Sequence, residues 1–417
     1  MTHALRSGAH APRQLFSTTP AQRVAMARQQ FFEEGLRPSG LVGEAVIQSW
    51  MRCRRTHADT RHPVAFDPVT PSRLHSALGR NRELLVAAQP DLQAMEAALA
   101  GTDCRVLLTD CDGVMLHVTH HPMAPRQPVL HRTARVGVNI AEHVVGTTAP
   151  GIVASTGQAC TVSGAEHYFD LLREVHCAAA PIRDVHGRLA GVLDLSVEGQ
   201  RFGFDAGSMV GLYATTIENR LLQAQSGAHL VLRFQASPAL LGTPLEALAG
   251  ITADGTVAWL NDAGARLIGR LPATAGERRV DELLGHDLPS LLRLGRREAA
   301  QPMRLASGLG VWMQARLDAS DGIDFRHAIA TAAPAMPTDG NAQVDGAGAA
   351  SACKVAATAH ADAAAAPVDL GRTLRQQERS LVQQALAAHR GNVSSAARAL
   401  GVSRGTLYRR LRAGDDA

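Results

Sequence analysis

Two groups of side chains in this sequence have the types and spacing to do chemistry. The first is Glu166, His167, Glu174 and Cys177, which supply acids, a base and a nucleophile within one short span. A cysteine with a histidine nearby is a legitimate nucleophile signature, although no known hydrolase context surrounds this one. The second is the arginine series Arg375, Arg379, Arg390, Arg398, Arg404, Arg409, Arg410 and Arg412, which faces a single intervening carboxylate, Glu378. This end is far more basic than the whole-chain formal charge of +4. It points to a polyanionic partner.

Other candidate groups carry less. His117, His120 and His121, with Cys104, Cys111 and Cys177, have soft ligand types but no Cys-x-x-Cys spacing, so neither a metal nor another cofactor is expected. The six cysteines, Cys53, Cys104, Cys111, Cys160, Cys177 and Cys353, are too scattered for a disulfide scaffold, which fits a reducing cytoplasm. No run of about 18 apolar residues suggests a membrane span. At 417 residues the chain is long enough for two or three domains. Arg6, Arg13, Arg23 and Arg28 open it with no acid among the first thirty residues, and residues 1–40 read as a frayed, flexible terminus.

The elements that must position the arginines follow from helical spacing. Leu381, Val382, Ala385 and Leu386 define one helix, which stops near Gly391. Asn392 can cap a second, with Val393, Ala396, Ala397 and Leu400 on its apolar stripe. Gly401 supplies the tight turn and Ser403 a third cap, leaving Leu407 and Leu411 for packing. Residues 369–417 therefore read as an all-α helix-turn-helix. Arg404 is the first choice for a base contact, because guanidinium can bond guanine bidentately, with Ser403 and Tyr408 behind it. Ser395, Thr406, Arg409, Arg410 and Arg412 are expected to hold phosphates. The run from Gly391 to Leu411 resembles the DNA-binding end of Fis-type bacterial regulators, and that resemblance implies a dimer on a double-stranded operator.

Upstream, residues 41–100 read as a helical lead-in, with Val42, Ala45, Val46, Ser49 and Trp50 near one face. The period then changes. Arg105 to Thr109 and Val114 to Thr119 flank the turn tetrad Asp110-Cys111-Asp112-Gly113, and Ala178 to Arg183 and Arg188 to Ser196 flank Asp184-Val185-His186-Gly187. Two hairpins imply an antiparallel sheet, and Ser208 to Gln223 then returns to helix. Gly146-Thr147-Thr148, Gly164 to Phe169, Cys177 to Ile182 and Gly187 to Ser196 resemble a GAF sensor domain of the acetoin-catabolism activator family, over residues 101–225. The lead-in run Ser49-Trp50-Met51-Arg52-Cys53 is similar to the start of the same regulators. Where the family has Gly-Thr-Asn-Ala-Ile-Gly, this chain has Gly146-Thr147-Thr148-Ala149-Pro150-Gly151, which implies a differently shaped pocket. Within that resemblance Glu166, His167 and Cys177 are expected to line or shape a small-molecule effector pocket rather than catalyse.

Residues 228–329 carry a weaker α/β pattern. The stretch from Ile251 to Asn261 resembles part of a PAS-like module, with Asn261-Asp262 able to cap a helix from Ala263 to Ile268. Residues 330–368, rich in alanine, glycine, proline and threonine, read as a flexible linker. The fold class expected is multidomain α+β: a GAF-like sensor with an antiparallel sheet, a PAS-like α/β module and an all-α helix-turn-helix.

Relatives in the sigma-54 activator family usually carry an ATPase between sensor and DNA reader. That engine needs a Gly-x-x-x-x-Gly-Lys-Ser/Thr loop, whereas the sole lysine here, Lys354, has no such frame. The expectation is a DNA-binding transcriptional regulator without enzymatic activity, controlled by a small molecule and acting by operator occupancy or polymerase recruitment. The alternative is a modulator that forms mixed complexes with a full-length activator, and RNA polymerase is a further possible partner. A Cys/His enzyme ranks below both.

Overall fold

The computed structural model describes residues 19–119, 127–269, 278–297 and 299–317. The expected linker 330–368, the helix-turn-helix 369–417 with all its DNA-contact candidates, His120, His121 and residues 1–18 lie outside the described residues.

The chain enters through α1 (Pro20–Arg28), which the frayed-terminus expectation did not foresee. Its start is a capping box: the Gln22 amide donates to the Thr19 hydroxyl, and the Thr19 amide to the Gln22 side chain. A π-helical turn, Gln29–Glu33, continues it. Tertiary packing is what holds this segment, because Val24, Ala27, Arg28 and Phe31 are buried. Three helices follow: α2 (Glu44–Thr56), α3 (Pro71–Arg80) and α4 (Arg82–Ala98).

Next comes the hairpin of β1 (Arg105–Asp110) and β2 (Met115–Val118). Its tight turn is set by Asp110, whose Oδ1 accepts from the Asp112 and Val114 amides. Three short helices, α5 (Pro128–Thr133), α6 (Glu142–Val145) and α7 (Ala149–Thr156), precede the edge strand β3 (Cys160–Ser163). Strands β4 (Val175–Arg183) and β5 (Leu189–Glu198) form the long central hairpin, and α8 (Ala206–Ala224) follows. The sheet order is β2-β1-β5-β4-β3, and every neighbouring pair is antiparallel.

Both faces of this first sheet are covered, so its alternation sorts two cores. Leu108, Ala178, Ala180, Leu193 and Leu195 pack with Leu84 and Met95 of α4 and Val210 and Ile217 of α8. Leu107, Met115, Cys177, Ala179 and Val192 turn the other way, toward Trp50 of α2 and Ile152 and Val153 of α7. Gly191 shows how closely α4 approaches, since a Cβ there would lie 2.5 Å from the Thr109 carbonyl oxygen and 2.7 Å from Leu84 Cδ2.

A second sheet is built from β6 (Leu230–Gln235), β7 (Ala247–Ile251), β8 (Val257–Leu260) and, after α9 (Asp262–Ile268), α10 (Val280–Leu284) and α11 (Leu288–Leu294), from β9 (Gln301–Arg304) and β10 (Gly310–Leu317). Its order is β8-β7-β6-β10-β9, again antiparallel. Asn261 caps α9 as its type suggested, with Oδ1 accepting from the Gly264 amide at 2.8 Å. The inner face, including Leu232, Phe234, Ile251 and Met313, packs on α10 and α11 through Leu284 and Leu291. On the opposite face Val231, Leu248 and Trp259 meet Leu222 of α8. Among the described residues, no helix is long and apolar enough to cross a membrane.

Candidate functional site

The register of the central hairpin assembles a polar cluster inside the first core. Cys177 of β4 stands opposite Ser196 of β5, while Asp194, two residues along the same face of β5, stands between Ala179 and Leu107. His167 arrives from the loop that follows β3. Its Nδ1 lies 2.9 Å from the Gly164 carbonyl oxygen, which can only accept, so Nδ1 carries the proton and Nε2 is left as an acceptor. Cys177 Sγ lies 3.7 Å from that Nε2, and Ser196 Oγ lies 3.2 Å from the sulfur and 2.6 Å from Asp194 Oδ2. The result is a continuous chain from His167 through Cys177 and Ser196 to Asp194. At its end Asp194 Oδ1 is buried with no hydrogen-bond partner.

Burial dominates the electrostatics. It holds His167 down to about 4, with the Gly164 bond only partly opposing it, so the ring is neutral at physiological pH. Burial likewise pushes the Cys177 thiol well above its ordinary range, and the neighbouring Asp194 carboxyl adds to the effect. Asp194 itself is pushed up to about 7 by burial, opposed by the Ser196 hydroxyl. A thiol in this setting does not ionise, and the thiolate is the nucleophile. Cys177 and His167 are thus brought together, but as a neutral hydrogen-bonded pair.

The cluster borders a narrow cavity of about 40 Å³ whose other walls include Phe66, Leu107, Met115, Leu130, Ile140 and Val145. Two of the three expected pocket residues, His167 and Cys177, line it. Glu166 does not. Its carboxylate accepts from the Ser163 amide at 2.8 Å, closing a capping box, and burial pushes its pKa up. Glu174 is exposed on the loop before β4. Asp194 and Ser196 were not singled out from the sequence. Strand alternation through Leu193-Asp194-Leu195-Ser196 puts both on one face of β5, and the β4–β5 register makes it the face of Cys177.

The loop that carries His167 is held by the lead-in helices. The Arg28 guanidinium donates to the carbonyls of Ala165 and His167 at 3.1 and 2.8 Å and to Asp170 Oδ1 at 2.8 Å. Burial lowers this cation's pKa to about 10. The run Ser49-Trp50-Met51-Arg52-Cys53 acquires a physical role. Ser49 Oγ meets Thr147 Oγ1 at 2.8 Å, Trp50 Nε1 donates to the Glu166 carbonyl at 2.7 Å, and Arg52 forks onto Glu142 at 2.6 and 2.8 Å. Gly146, at φ +70°, lets Tyr168 and Phe169 close over the same spot, since a Cβ there would lie 2.9 Å from each.

A larger open cleft of about 860 Å³ lies where α8 and the β4–β5 turn face β8. Among its lining residues, Glu218 accepts from the Arg183 amide at 2.7 Å and Asn219 Oδ1 from Asn261 Nδ2 at 2.8 Å. It forms the seam between α8 and the second sheet. Cys104, Cys111 and His117 lie apart from the cavity wall, and among the described residues no group of three or more His, Cys, Asp or Glu is placed to hold a metal ion.

Comparison with known families defines the class of protein. Residues 17–204 match the family described as MimR, N-terminal domain, and residues 373–414 match that of bacterial regulatory proteins of the Fis family. One polypeptide thus carries a segment similar to the MimR N-terminal domain and a segment similar to the Fis family of regulatory proteins. Within that class the chain is related to the acetoin-catabolism type of regulator in the sigma-54 activator family, and these families and relatives are transcriptional regulators rather than enzymes. It is 31% identical over 224 residues to the propane 2-monooxygenase operon transcriptional activator MimR of Mycolicibacterium smegmatis, covering 51% of this chain and 36% of that protein. It is 28% identical over 262 residues to the acetoin catabolism regulatory protein of Cupriavidus necator, covering 58% of this chain and 39% of that protein. The matches therefore span under two fifths of these relatives' own length. Among solved structures, the crystal structure of the E. coli DhaR(N)-DhaL complex is similar at a TM-score of 0.42 and 18% identity, over 66% of this chain and 99% of that one.

Proposed function

We propose that this chain is a transcriptional regulator whose affinity for an operator is set by a small molecule held in the cavity beneath the first sheet. The observation that carries this reading is a buried polar chain ending in an unpartnered carboxylate oxygen, at the wall of a cavity lined mainly by apolar side chains. Proteins rarely leave such an atom without a partner, because its desolvation is not compensated. The matched families supply the output. A ligand shifts operator binding only by as much as it prefers one conformational state over the other.

The domain boundaries proposed are those of the sequence pattern, with a GAF-like sensor at 101–225 and a PAS-like module at 228–329. The reader at 369–417 works as a homodimer. Arg404 reads a base, assisted by Ser403 and Tyr408, while Ser395, Thr406, Arg409, Arg410 and Arg412 hold the backbone. Without a phosphate-binding loop in these 417 residues, regulation proceeds by occupancy or recruitment rather than ATP turnover. The same feature favours a second reading, mixed complexes with an ATPase-bearing relative, which co-purification would reveal.

Footprinting on the DNA upstream of its own gene, with and without candidate effectors, tests the main reading. Protection should change with ligand, and Arg404→Ala should weaken specific binding by about 1–3 kcal/mol while relaxing preference at one base position. Protection indifferent to every ligand tried, or equal losses on specific and random DNA, would count against it.

A further inference from the structure

The chemistry of the cavity wall narrows what it can hold. His167 Nε2 has no proton to give, the Ser196 hydroxyl sits 2.6 Å from Asp194 Oδ2, and the Cys177 thiol faces His167. Among the described residues that line the cavity, Asp194 Oδ1 is the buried side-chain oxygen with no hydrogen-bond partner. With Ser196 donating to Oδ2, the ionised carboxyl leaves Oδ1 as an acceptor and nothing else. On the opposite wall Thr148 is already engaged, accepting from the Gly151 amide at 3.1 Å, and Thr133 supplies a rotatable hydroxyl.

We infer that this cavity takes a small molecule with a single hydrogen-bond-donating head, a hydroxyl or an ammonium, seated on Asp194 Oδ1, and a short apolar body against Leu107, Met115, Leu130 and Ile140. This deepens the effector reading and rests on it. A volume of about 40 Å³ holds on the order of three water molecules, so the ligand has roughly three to five non-hydrogen atoms. The buried carboxyl excludes anions. An acceptor-only head, a ketone or an ester, leaves Oδ1 facing another lone pair, and a site built on a hydrogen bond rejects the analogue that cannot make it.

The test uses the full chain and four probes of equal size: propan-2-ol, isopropylammonium, propanone and acetate. Binding is followed by ligand-observed NMR at millimolar concentration and pH 8 or above, where the Asp194 carboxyl is ionised. The alcohol, the amine or both should bind at least about tenfold more tightly than propanone and acetate. An advantage of amine over alcohol would identify the head as a cation, and the reverse as a hydroxyl. Asp194→Leu, which removes both carboxyl oxygens at similar size, should abolish the preference for donors. Should Asp194→Leu fail to fold, Val175→Phe, which adds bulk at the cavity wall, should remove binding of the preferred probes. Propanone binding as well as propan-2-ol, a preference that survives Asp194→Leu or binding that survives Val175→Phe, or no binding by any of the four would overturn the inference. Donor-selective binding with an unchanged footprint would instead leave the pocket chemistry standing and sink the regulatory reading.

Discussion

The two five-stranded antiparallel sheets solve the same packing problem in opposite ways. On the inner face of the second sheet, Leu232, Phe234, Ile251, Val257 and Met313 meet only hydrocarbon from α10 and α11. On the cavity-side face of the first, Cys177, Asp194 and Ser196 stand among Leu107, Met115 and Val192, with His167 closing over them. Burying a carboxyl without a counter-charge costs stability, and a hydrocarbon core does not. The second sheet is thus built for support, and the first gives up stability to keep a polar site.

Three substitutions sharpen or break this contrast. The largest effect is expected from Phe234→Ala, at about 3–5 kcal/mol of stability by urea denaturation, because it leaves a cavity in a core with nothing polar to hydrate it. The donor selectivity of the first sheet should survive; its loss would mean the two sheets do not divide labour. Asn261→Ala comes next. It removes acceptors from the Leu248 and Gly264 amides and donors to Asn219 and Glu246, for a loss of about 2–3 kcal/mol.

Asp194→Asn should act with the opposite sign. Burial raises the folded-state pKa of Asp194 from the ordinary 3.8 to about 7. The folded protein therefore holds this proton after the unfolded chain has released it. The resulting destabilisation is absent below about pH 4, grows as pH rises toward 7 and is constant above that. The Asn variant should melt higher at neutral pH, by about 2–4 °C for each ~1 kcal/mol recovered, with a flatter profile between pH 4 and 7. Glu218, also pushed up to about 7 by burial, leaves a residual slope. A variant that melts lower at pH 8 would show that the carboxylate is stabilising.

Much of this architecture was legible in local chemistry. The turns Asp110–Gly113 and Asp184–Gly187 announce their hairpins, because Asp accepts from the turn amides and Gly113 and Gly187 take φ of +81° and +71°. The Asn261 cap marks the start of α9. By contrast, α1 shows no strong apolar stripe, and its burial depends on partners more than a hundred residues away. The edge strand β3, four residues long, is also set by its neighbour β4. At the site, His167 and Cys177 stand out by residue type. Asp194 looks like one more charge in a strand until the register reveals which way it turns.

The Arg28 clamp has a consequence for the making of the protein. Its guanidinium must reach carbonyls beginning 137 residues later in the chain. At translation rates of about 5–20 residues per second, α1 leaves the ribosome roughly seven to twenty-seven seconds before the loop that will receive it. Throughout that interval Phe31, Phe32 and Trp50 can pack on one another but lack Tyr168 and the carbonyls that Arg28 and Trp50 bond, so the newborn chain keeps part of this apolar surface uncovered until the loop carrying His167 emerges.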